Sequence, residues 1–444
     1  MPESTSLFIN NMGILICLVL IIAIGHSIYV CVLNKSEKSM LIGFGLSLGI
    51  GCAAVAQQML LYNFLGINWS FASIYLPWLI LFYFVYSNPE LPNLKIGYKR
   101  LTKVEKILIA FILAIVSYTF LETILRPVSA WDAIASWFLG GKAFFVDQKI
   151  LPSYYIYANY DYPPFMHLIL AAVNLLEKDF NDSTSLLLYF LFFPSMLVVF
   201  YTLLRKSLSR NISMLFVFLL ASTQNIVRHA GKYDIGNADL PLSYFFLISL
   251  FFILRFKKTK YTVHLIFAVV FLISSALIKN DGIPYAISGL AILLYLVIRN
   301  SKNKKIHLFM LTILSLPFLY WRYFSALNDL PSTYINFYNF HLERFQAITI
   351  SFFKEFINLR RWNLVWVFVG LAFFLNRNVI KYPVVLILLT SQFISYIYVY
   401  FVTPIEVTSH IQNSFDRLLL QILPISLYFA VILLFAKSKG SEGN

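Results

Sequence analysis

The chain has 444 residues, of which 59% are hydrophobic and 12% are charged. Soluble globular domains carry about 25% charged residues, so this composition excludes a soluble globular protein and predicts a chain that dissolves in lipid. The formal net charge is +15, but Lys and Arg occur in short runs between apolar windows. This distribution indicates orientation in a membrane and argues against a nucleic-acid partner. Cys17, Cys31 and Cys52 show no metal-ligand or redox spacing.

Apolar windows long enough to cross a bilayer, about 20 residues each, recur from Met12 almost to the C-terminus. The first window is interpreted as a spanning helix and not as a signal peptide, because no basic region precedes it and no cleavage site follows it. Thirteen crossings are predicted, at 12–33, 40–65, 70–87, 104–125, 183–204, 212–227, 238–254, 262–279, 282–299, 307–325, 362–376, 382–402 and 416–436. The expected fold is therefore an all-α polytopic membrane protein.

Strict alternation of these helices, with the N-terminus outside, places most basic residues on the inner side. Among the acidic residues only Glu37, Glu90, Glu105 and Glu442 then fall inside. We therefore expect a multi-pass protein of the plasma or inner membrane, with a cytoplasmic C-terminus and the acid chemistry on the outer face.

Two long outer stretches, 126–182 and 325–361, interrupt otherwise short connections, and long loops are where function concentrates. In the first of them, Trp131–Phe145 forms an amphipathic pattern at about 100° per residue. This pattern predicts an interfacial helix with Asp132 and Ser136 on one side and, on the other, an apolar arc among the lipid headgroups that consists of Ile134, Trp137, Phe138, Phe144 and Phe145. Asp132 then either points into the space above the bundle or caps this helix.

Later in the same stretch, Asp161 precedes Tyr162-Pro-Pro164, and His167 follows one turn into an apolar run. Because proline opens helices and aspartate caps them, Asp161 is first interpreted as a cap. His167 is interpreted as a packing residue.

Three further outer clusters carry charge. Arg228, Lys232 and Asp239 lie in a loop that enters an apolar helix, where charges are costly unless solvated or used, although Asp239 also suits a cap. The segment Lys279–Gly282 is a tight turn between two apolar helices. If the segment before the last helix is helical, His410, Ser414 and Arg417 share one face at i, i+4 and i+7, an arrangement that suits a phosphate, although Arg417 also fits a snorkelling side chain.

These motifs resemble the C-type glycosyltransferase superfamily that uses polyprenyl-phosphate sugars, especially its protein mannosyltransferase and lipid A aminoarabinose transferase branch. The resemblance covers roughly residues 104–436 and runs in the expected order. It is carried by Trp131-Asp132 with the helix after it, Tyr162-Pro-Pro164, Ala238-Asp-Leu-Pro241, Lys279-Asn-Asp-Gly282 and Ser409–Arg417. We expect one domain over 1–444, in which 1–103 adds N-terminal helices to a core with the catalytic loop 126–182.

The resemblance implies that Asp132 is the catalytic base and that Asp239 assists. It also implies a polyprenyl-phosphate-linked sugar donor, a glycan, lipid or protein acceptor, and surrounding membrane lipids as partners. Basic residues near the mouth would hold the lipid phosphate: Arg417, His410, Arg228 and Lys232. The remaining candidates to line the donor or acceptor site are Trp131, Ser136, Asp161, His167 and Lys279.

The sequence departs from the family in three ways. The second acid expected directly after the first is Ala133, three extra helices precede the core, and no soluble C-terminal domain follows. The first departure weakens any metal site, so no metal ligand is assigned and a divalent cation stays open as a cofactor.

Two other classes of function stay open at this point. A secondary transporter would place acidic or polar residues inside helices at mid-membrane, often in repeated segments, and no repeat is visible here. A glycan polymerase or ligase that uses lipid-diphosphate donors would depend on Arg and His, whereas Asp132 favours a transferase with a carboxylate base.

Overall fold

A computed structural model of the chain describes residues 12–33, 40–87, 100–158, 162–330 and 339–436. Within these residues the secondary structure is entirely helical. We number the α-helices α1 Met12–Ile28, α2 Met40–Phe64, α3 Phe71–Tyr86, α4 Lys103–Leu125, α5 Leu139–Asp147, α6 Pro152–Ala158, α7 Phe165–Asn174, α8 Asp182–Arg205, α9 Arg210–Ala221, α10 Gln224–Gly231, α11 Asp239–Thr259, α12 Thr262–Ile278, α13 Gly282–Asn300, α14 Lys304–Leu327, α15 Phe345–Phe356, α16 Leu359–Trp362, α17 Val365–Leu375, α18 Pro383–Val402 and α19 Val407–Phe435.

The predicted all-α polytopic membrane fold is confirmed. Nine helices within the described residues are long and apolar enough to cross a membrane. The other four predicted crossings correspond to the shorter helices α3, α9, α12 and α17. The last helix begins at Val407 and not at 416 as predicted. The prediction misses its first turns because they are polar and carry no apolar signal.

Polar side chains at the helix starts explain where several of these helices begin. Thr102 and Glu105 form a reciprocal capping box at α4, in which each side chain bonds the backbone N–H of the other residue. Asn181 accepts from the N–H of Thr184 at α8. Glu406 accepts from two N–H groups at the start of α19, which therefore extends beyond the apolar window.

Helices α11 and α19 form the centre of the bundle, and α4 and α14 lie at its periphery. The chain runs back and forth between two ends of the bundle. We call one the basic end, because Arg205, Arg255 and Arg299 lie at helix ends there. The opposite end, where α11 begins with Asp239 and α19 begins with Val407, is called the site end.

The first long loop differs from its predicted form in two respects. Residues Ala133–Phe138 form a π-helical segment and not an α-helix, and α5 follows it directly. Trp137, Phe138 and Phe144 are buried inside the protein, so the prediction that the arc lies among lipid headgroups is wrong for these three residues, whereas Ile134 is 49% exposed. The physical reason is that α7, all of whose residues are buried, offers the loop an apolar protein surface on which to pack.

Glycine allows this close packing between α5 and α7. A Cβ atom at Gly140 would lie 2.6 Å from the His167 ring, and one at Gly141 would lie 2.7 Å from Leu170 Cβ. Only a residue without a side chain fits at these distances. The loop is thus fixed against the bundle just after Asp132.

Candidate active site

The site end holds a group of charged side chains that we call the charge cluster: Asp132, Asp239, Lys279, Asp281 and Arg417. Asp132 directly precedes the π-helical segment, and Asp239 is the first residue of α11. Lys279 and Asp281 lie in the turn between α12 and α13, and Arg417 lies in the third turn of α19. Four separate parts of the chain therefore meet here.

Arg417 joins the two aspartates that the sequence singled out. Its Nε donates to Asp239 Oδ2 at 2.8 Å, and its Nη1 donates to Asp132 Oδ2 at 2.5 Å. Hydrogen bonds between ionised groups are short and strong. One guanidinium thus holds both carboxylates in a fixed relation.

Lys279 completes the cluster on the other side of Asp239. Its Nζ lies 2.9 Å from Asp239 Oδ1 and 2.8 Å from Asp281 Oδ2. Gln421, one turn below Arg417, donates to the same two carboxylates at 2.6 Å and 3.1 Å and accepts from the hydroxyl of Tyr396 at 2.7 Å. Asp239 therefore has three donors, from Arg417, Lys279 and Gln421.

Burial separates the roles that these carboxylates can take. Asp239 is completely buried, whereas the side chain of Asp132 is 28% exposed. Burial lowers the pKa of the Lys279 ammonium, but Asp239 and Asp281 raise it by more, so this pKa lies above its ordinary value. Lys279 therefore stays protonated and keeps its bonds to both carboxylates.

The charge cluster contains three carboxylates and two cations, so with all groups ionised it carries one net negative charge. A buried ion group of this kind needs complete pairing, because each unpaired charge is costly. Chemically, the arrangement offers a water-accessible carboxylate beside a guanidinium. That pair can accept a proton on one side and bind an anion on the other.

The alternative that Asp132 or Asp239 merely caps a helix is not what the structure shows. Asp132 makes no side-chain capping hydrogen bond to the π-helical segment. At α11 the capping position belongs to Ala238, and Asp239 bonds side chains from other helices. Both carboxylates are used for long-range pairing.

Arg228 and Lys232, predicted to bind phosphate, contact other groups. Arg228 pairs with Asp234 at 2.6 Å and lies 3.8 Å from Asp416. Lys232 lies over the ring of Tyr118, 4.9 Å from its centroid. In the part of the chain that the structure describes, neither side chain pairs with a carboxylate of the charge cluster.

His410 shares the polar face of α19 with Ser414 and Arg417, as predicted. Its Nδ1 lies 2.9 Å from Thr403 Oγ1, and its ring packs edge-on against Tyr400. Ser414 contacts the hydroxyl of Tyr400 at 2.8 Å. His410 therefore lies nearly two turns beyond Arg417, toward the start of the helix.

The remaining candidates divide by exposure. Trp131 is 75% exposed next to Asp132, whereas Ser136 is buried and uses its carbonyl to accept from Tyr154. His167 is buried against Trp137, Phe144 and Tyr154, as expected of a packing residue.

Burial lowers the pKa of His167 to about 3, so its imidazole is neutral at neutral pH. A neutral ring surrounded by aromatic side chains fits the packing role. Asp161 lies outside the described residues.

Two members of the site escaped sequence reasoning. Asp281 was interpreted as turn chemistry, and Gln421 was hidden inside an apolar window. The spacing nevertheless contained a signal for Gln421, because the stripe of His410, Ser414 and Arg417 continues to it at i+11. A buried glutamine in a spanning helix is itself a sign of a polar partner.

Asp239 and Asp281 share the Lys279 ammonium and the Gln421 amide, and Asp132 and Asp239 share the Arg417 guanidinium, so protein donors already occupy the positions between these carboxylates. Within the described part of the chain, no group of three His, Cys, Asp or Glu side chains could hold a metal ion. The residues present in the cluster therefore do not fit a divalent cation.

A separate apolar cavity of about 490 Å³ lies between α15, α17, α18 and α19. Thr390 and Ser426 contribute the only hydroxyl groups to its lining. Helical spacing places Ile422 and Ser426 on the face of α19 that carries Phe415, away from Arg417. This cavity is therefore not the space in front of Asp132.

Fold and site together define an integral multi-pass membrane protein with a partly buried charge cluster at one end of its helix bundle, in which each charged side chain has an oppositely charged partner. The model of the dolichyl-phosphate-mannose-protein mannosyltransferase family matches residues 161–321. The match supports membership of the C-type glycosyltransferase superfamily and thus a membrane glycosyltransferase, as the resemblance predicted. No curated protein and no solved structure matches the chain significantly.

The matched segment includes Asp239, Lys279 and Asp281, but Asp132 and Arg417 lie outside it. In the structure these two residues lie next to the matched segment, because Arg417 pairs both with Asp132 and with Asp239.

Proposed function

We propose that the chain transfers a sugar from a polyprenyl-phosphate donor to an acceptor at the site end, with inversion at the anomeric carbon. The observation that carries this proposal is the Asp132–Arg417–Asp239 arrangement, in which a partly exposed carboxylate shares one guanidinium with a buried carboxylate. The matched family name contains a lipid-phosphate sugar as donor. Transport is a weaker alternative, because the matched family is one of transferases.

The donor phosphate replaces Asp132 as a partner of Arg417 in this proposal. Asp239 is buried and keeps Nε of Arg417, so the terminal nitrogens can exchange one anion for another. The net negative charge of the cluster requires such an exchange, because an added phosphate would otherwise be repelled. Donor binding thereby frees Asp132 to act as a base.

The reaction then proceeds in one displacement. The acceptor hydroxyl or amine attacks the anomeric carbon, its proton moves to Asp132, and the bond between that carbon and the phosphate oxygen breaks. Arg417 stabilises the charge that develops on the leaving polyprenyl phosphate, a contribution of about 3–4 kcal/mol for one well-placed donor. Asp239 acts as a positioning residue, since it holds Arg417 and Lys279 and is inaccessible to substrate.

Purified protein supplied with radiolabelled polyprenyl-phosphate mannose tests the proposal. We expect release of polyprenyl phosphate and transfer or hydrolysis of the sugar, because the single Arg417 guanidinium that Asp132 would give up suits one phosphate group. The matched comparison is a polyprenyl-diphosphate sugar, which should react far more slowly. Preference for the diphosphate donor would assign the chain to the polymerase or ligase class.

The site end is proposed to face the outer side of the membrane, because the basic end carries the positive residues that favour the cytoplasm. Ile134 is half exposed next to the charge cluster. In a variant without the native cysteines, Ile134→Cys is expected to react with a membrane-impermeant maleimide added outside intact cells. A cysteine at Lys257, at the basic end, is the control and should react only after permeabilisation. The reverse pattern would contradict the proposed orientation.

A further inference from the structure

Asp416 immediately precedes Arg417 on α19 but belongs to a different set of ion pairs. Consecutive side chains on an α-helix point about 100° apart, so the two residues face different neighbours. Asp416 Oδ2 lies 3.3 Å from Arg361 Nη1 and 3.8 Å from Arg228 Nη1. Its side chain is only 8% exposed. A nearly buried carboxylate between two guanidinium groups indicates a fixed position.

Each of these arginines has a second carboxylate partner. Arg361 Nη1 lies 3.1 Å from Glu355 Oε2, and Arg228 Nη2 lies 2.6 Å from Asp234 Oδ2. We call these five residues, Arg228, Asp234, Glu355, Arg361 and Asp416, the second ion network. It joins α10 and the loop after it, the α15–α16 segment and α19.

Two further contacts hold the same turn of α19. The amide of Asn225 on α10 donates to the Asp416 carbonyl at 3.0 Å. On the side of α15, the rings of Phe352 and Phe415 stack with centroids 3.7 Å apart. The Phe415–Arg417 turn is therefore held from three directions: by α10, by α15–α16 and by the charge cluster.

We propose that Asp416 is a positioning residue that fixes the rotation of α19 so that Arg417 reaches Asp132 and Asp239. Rotation of this turn about the helix axis would carry Asp416 away from Arg228 and Arg361 and would move Arg417 out of the charge cluster. Within the described parts of the chain, the Asp416 carboxylate pairs with Arg228 and Arg361 and not with the charge cluster, so it acts through Arg417. The catalytic consequence rests on the proposed function, whereas the geometric claim does not.

The substitution Asp416→Asn isolates this role. It removes the charge that links the three segments, yet Arg228 keeps Asp234 and Arg361 keeps Glu355. No arginine is left unpaired, so the protein is expected to fold. Asp416→Glu retains the charge and serves as the conservative rescue, and Glu343→Gln, at an exposed position of the second long loop, serves as the control.

The first measurement needs no activity. Full-length protein in detergent is treated with phenylglyoxal, and modification of Arg417 is followed by mass spectrometry, with the exposed Arg360 as internal reference. We expect Arg417 to be protected in wild type, in Asp416→Glu and in Glu343→Gln, and to react several-fold faster in Asp416→Asn. Equal protection in Asp416→Asn would overturn the proposal.

The second measurement is a double-mutant cycle on donor turnover. Asp416→Asn is expected to lower kcat about tenfold, since displacement of a catalytic group by 1 Å can cost up to about 100-fold. In an Arg417→Lys background the same substitution should add almost nothing, because both changes act on one contact. Additive losses would overturn the role through Arg417.

Absence of donor turnover in wild type would contradict the proposed function alone. The phenylglyoxal measurement would then still test whether Asp416 holds Arg417 in place, because it does not depend on donor turnover.

Discussion

Replacing Asp132 with asparagine is expected to lower kcat for sugar transfer by about 10²–10⁴-fold, because a positioned general base contributes that much to a rate. Donor binding should survive and become tighter. In the wild type the Asp132 carboxylate occupies Arg417, and the donor phosphate has to displace it. The measurement is kcat, together with the dissociation constant of a non-hydrolysable polyprenyl-phosphate sugar, in purified protein.

Asp147→Asn is the matched control, because Asp147 ends α5 in the same loop and is exposed. Its kcat and donor affinity should equal those of the wild type. An Asp132→Asn enzyme that retains a near wild-type kcat would refute the proposed base. An enzyme that loses donor binding and turnover together would instead indicate that Asp132 helps to hold the donor.

Replacing Asp239 with asparagine is expected to give the largest loss of stability. Asp239 is completely buried and pairs with both Arg417 and Lys279. Loss of one partner from a buried ion group costs about 3–5 kcal/mol, because the remaining charges stay buried without compensation. We expect a clearly lower midpoint of thermal unfolding in detergent, measured by intrinsic fluorescence at constant protein concentration.

Asp182→Asn provides the control for this variant. Asp182 is also the first residue of a spanning helix, α8, but it is exposed. Both substitutions remove a favourable charge from a helix N-terminus, worth about 0.3–1 kcal/mol at exposed sites. The difference between the two variants therefore measures the buried pairing of Asp239. Equal shifts in the unfolding midpoint would show that this pairing contributes little.

Much of the fold was predictable, because membrane helices are a local property of the chain. Nine of the thirteen predicted crossings are full-length apolar helices, and the other four are present as shorter ones. The start of α19 was misplaced because a polar helix such as Val407–Ser414 has no apolar window to reveal it. The Glu406 cap and the stripe of His410, Ser414 and Arg417 were the available local signals.

The first long loop shows where local pattern fails. Its amphipathic arc was correctly identified as apolar, but an arc that packs on lipid and an arc that packs on protein have the same sequence pattern. The buried helix α7 decided between them, together with the close approach that Gly140 and Gly141 allow.

Composition and spacing alone indicate a helical membrane chain that alternates between two ends, and the resemblance to the C-type glycosyltransferases implies the site residues Asp132, Asp239, Lys279 and Arg417. The helical pattern and the alternation follow from composition and from spacing within a few turns of helix. The fold was needed to show that Arg417 pairs with Asp132 and Asp239 and that Arg228 and Lys232 contact other groups. The physical reason is that ion pairing depends on distance in space, and Arg417 is 285 residues from Asp132 along the chain.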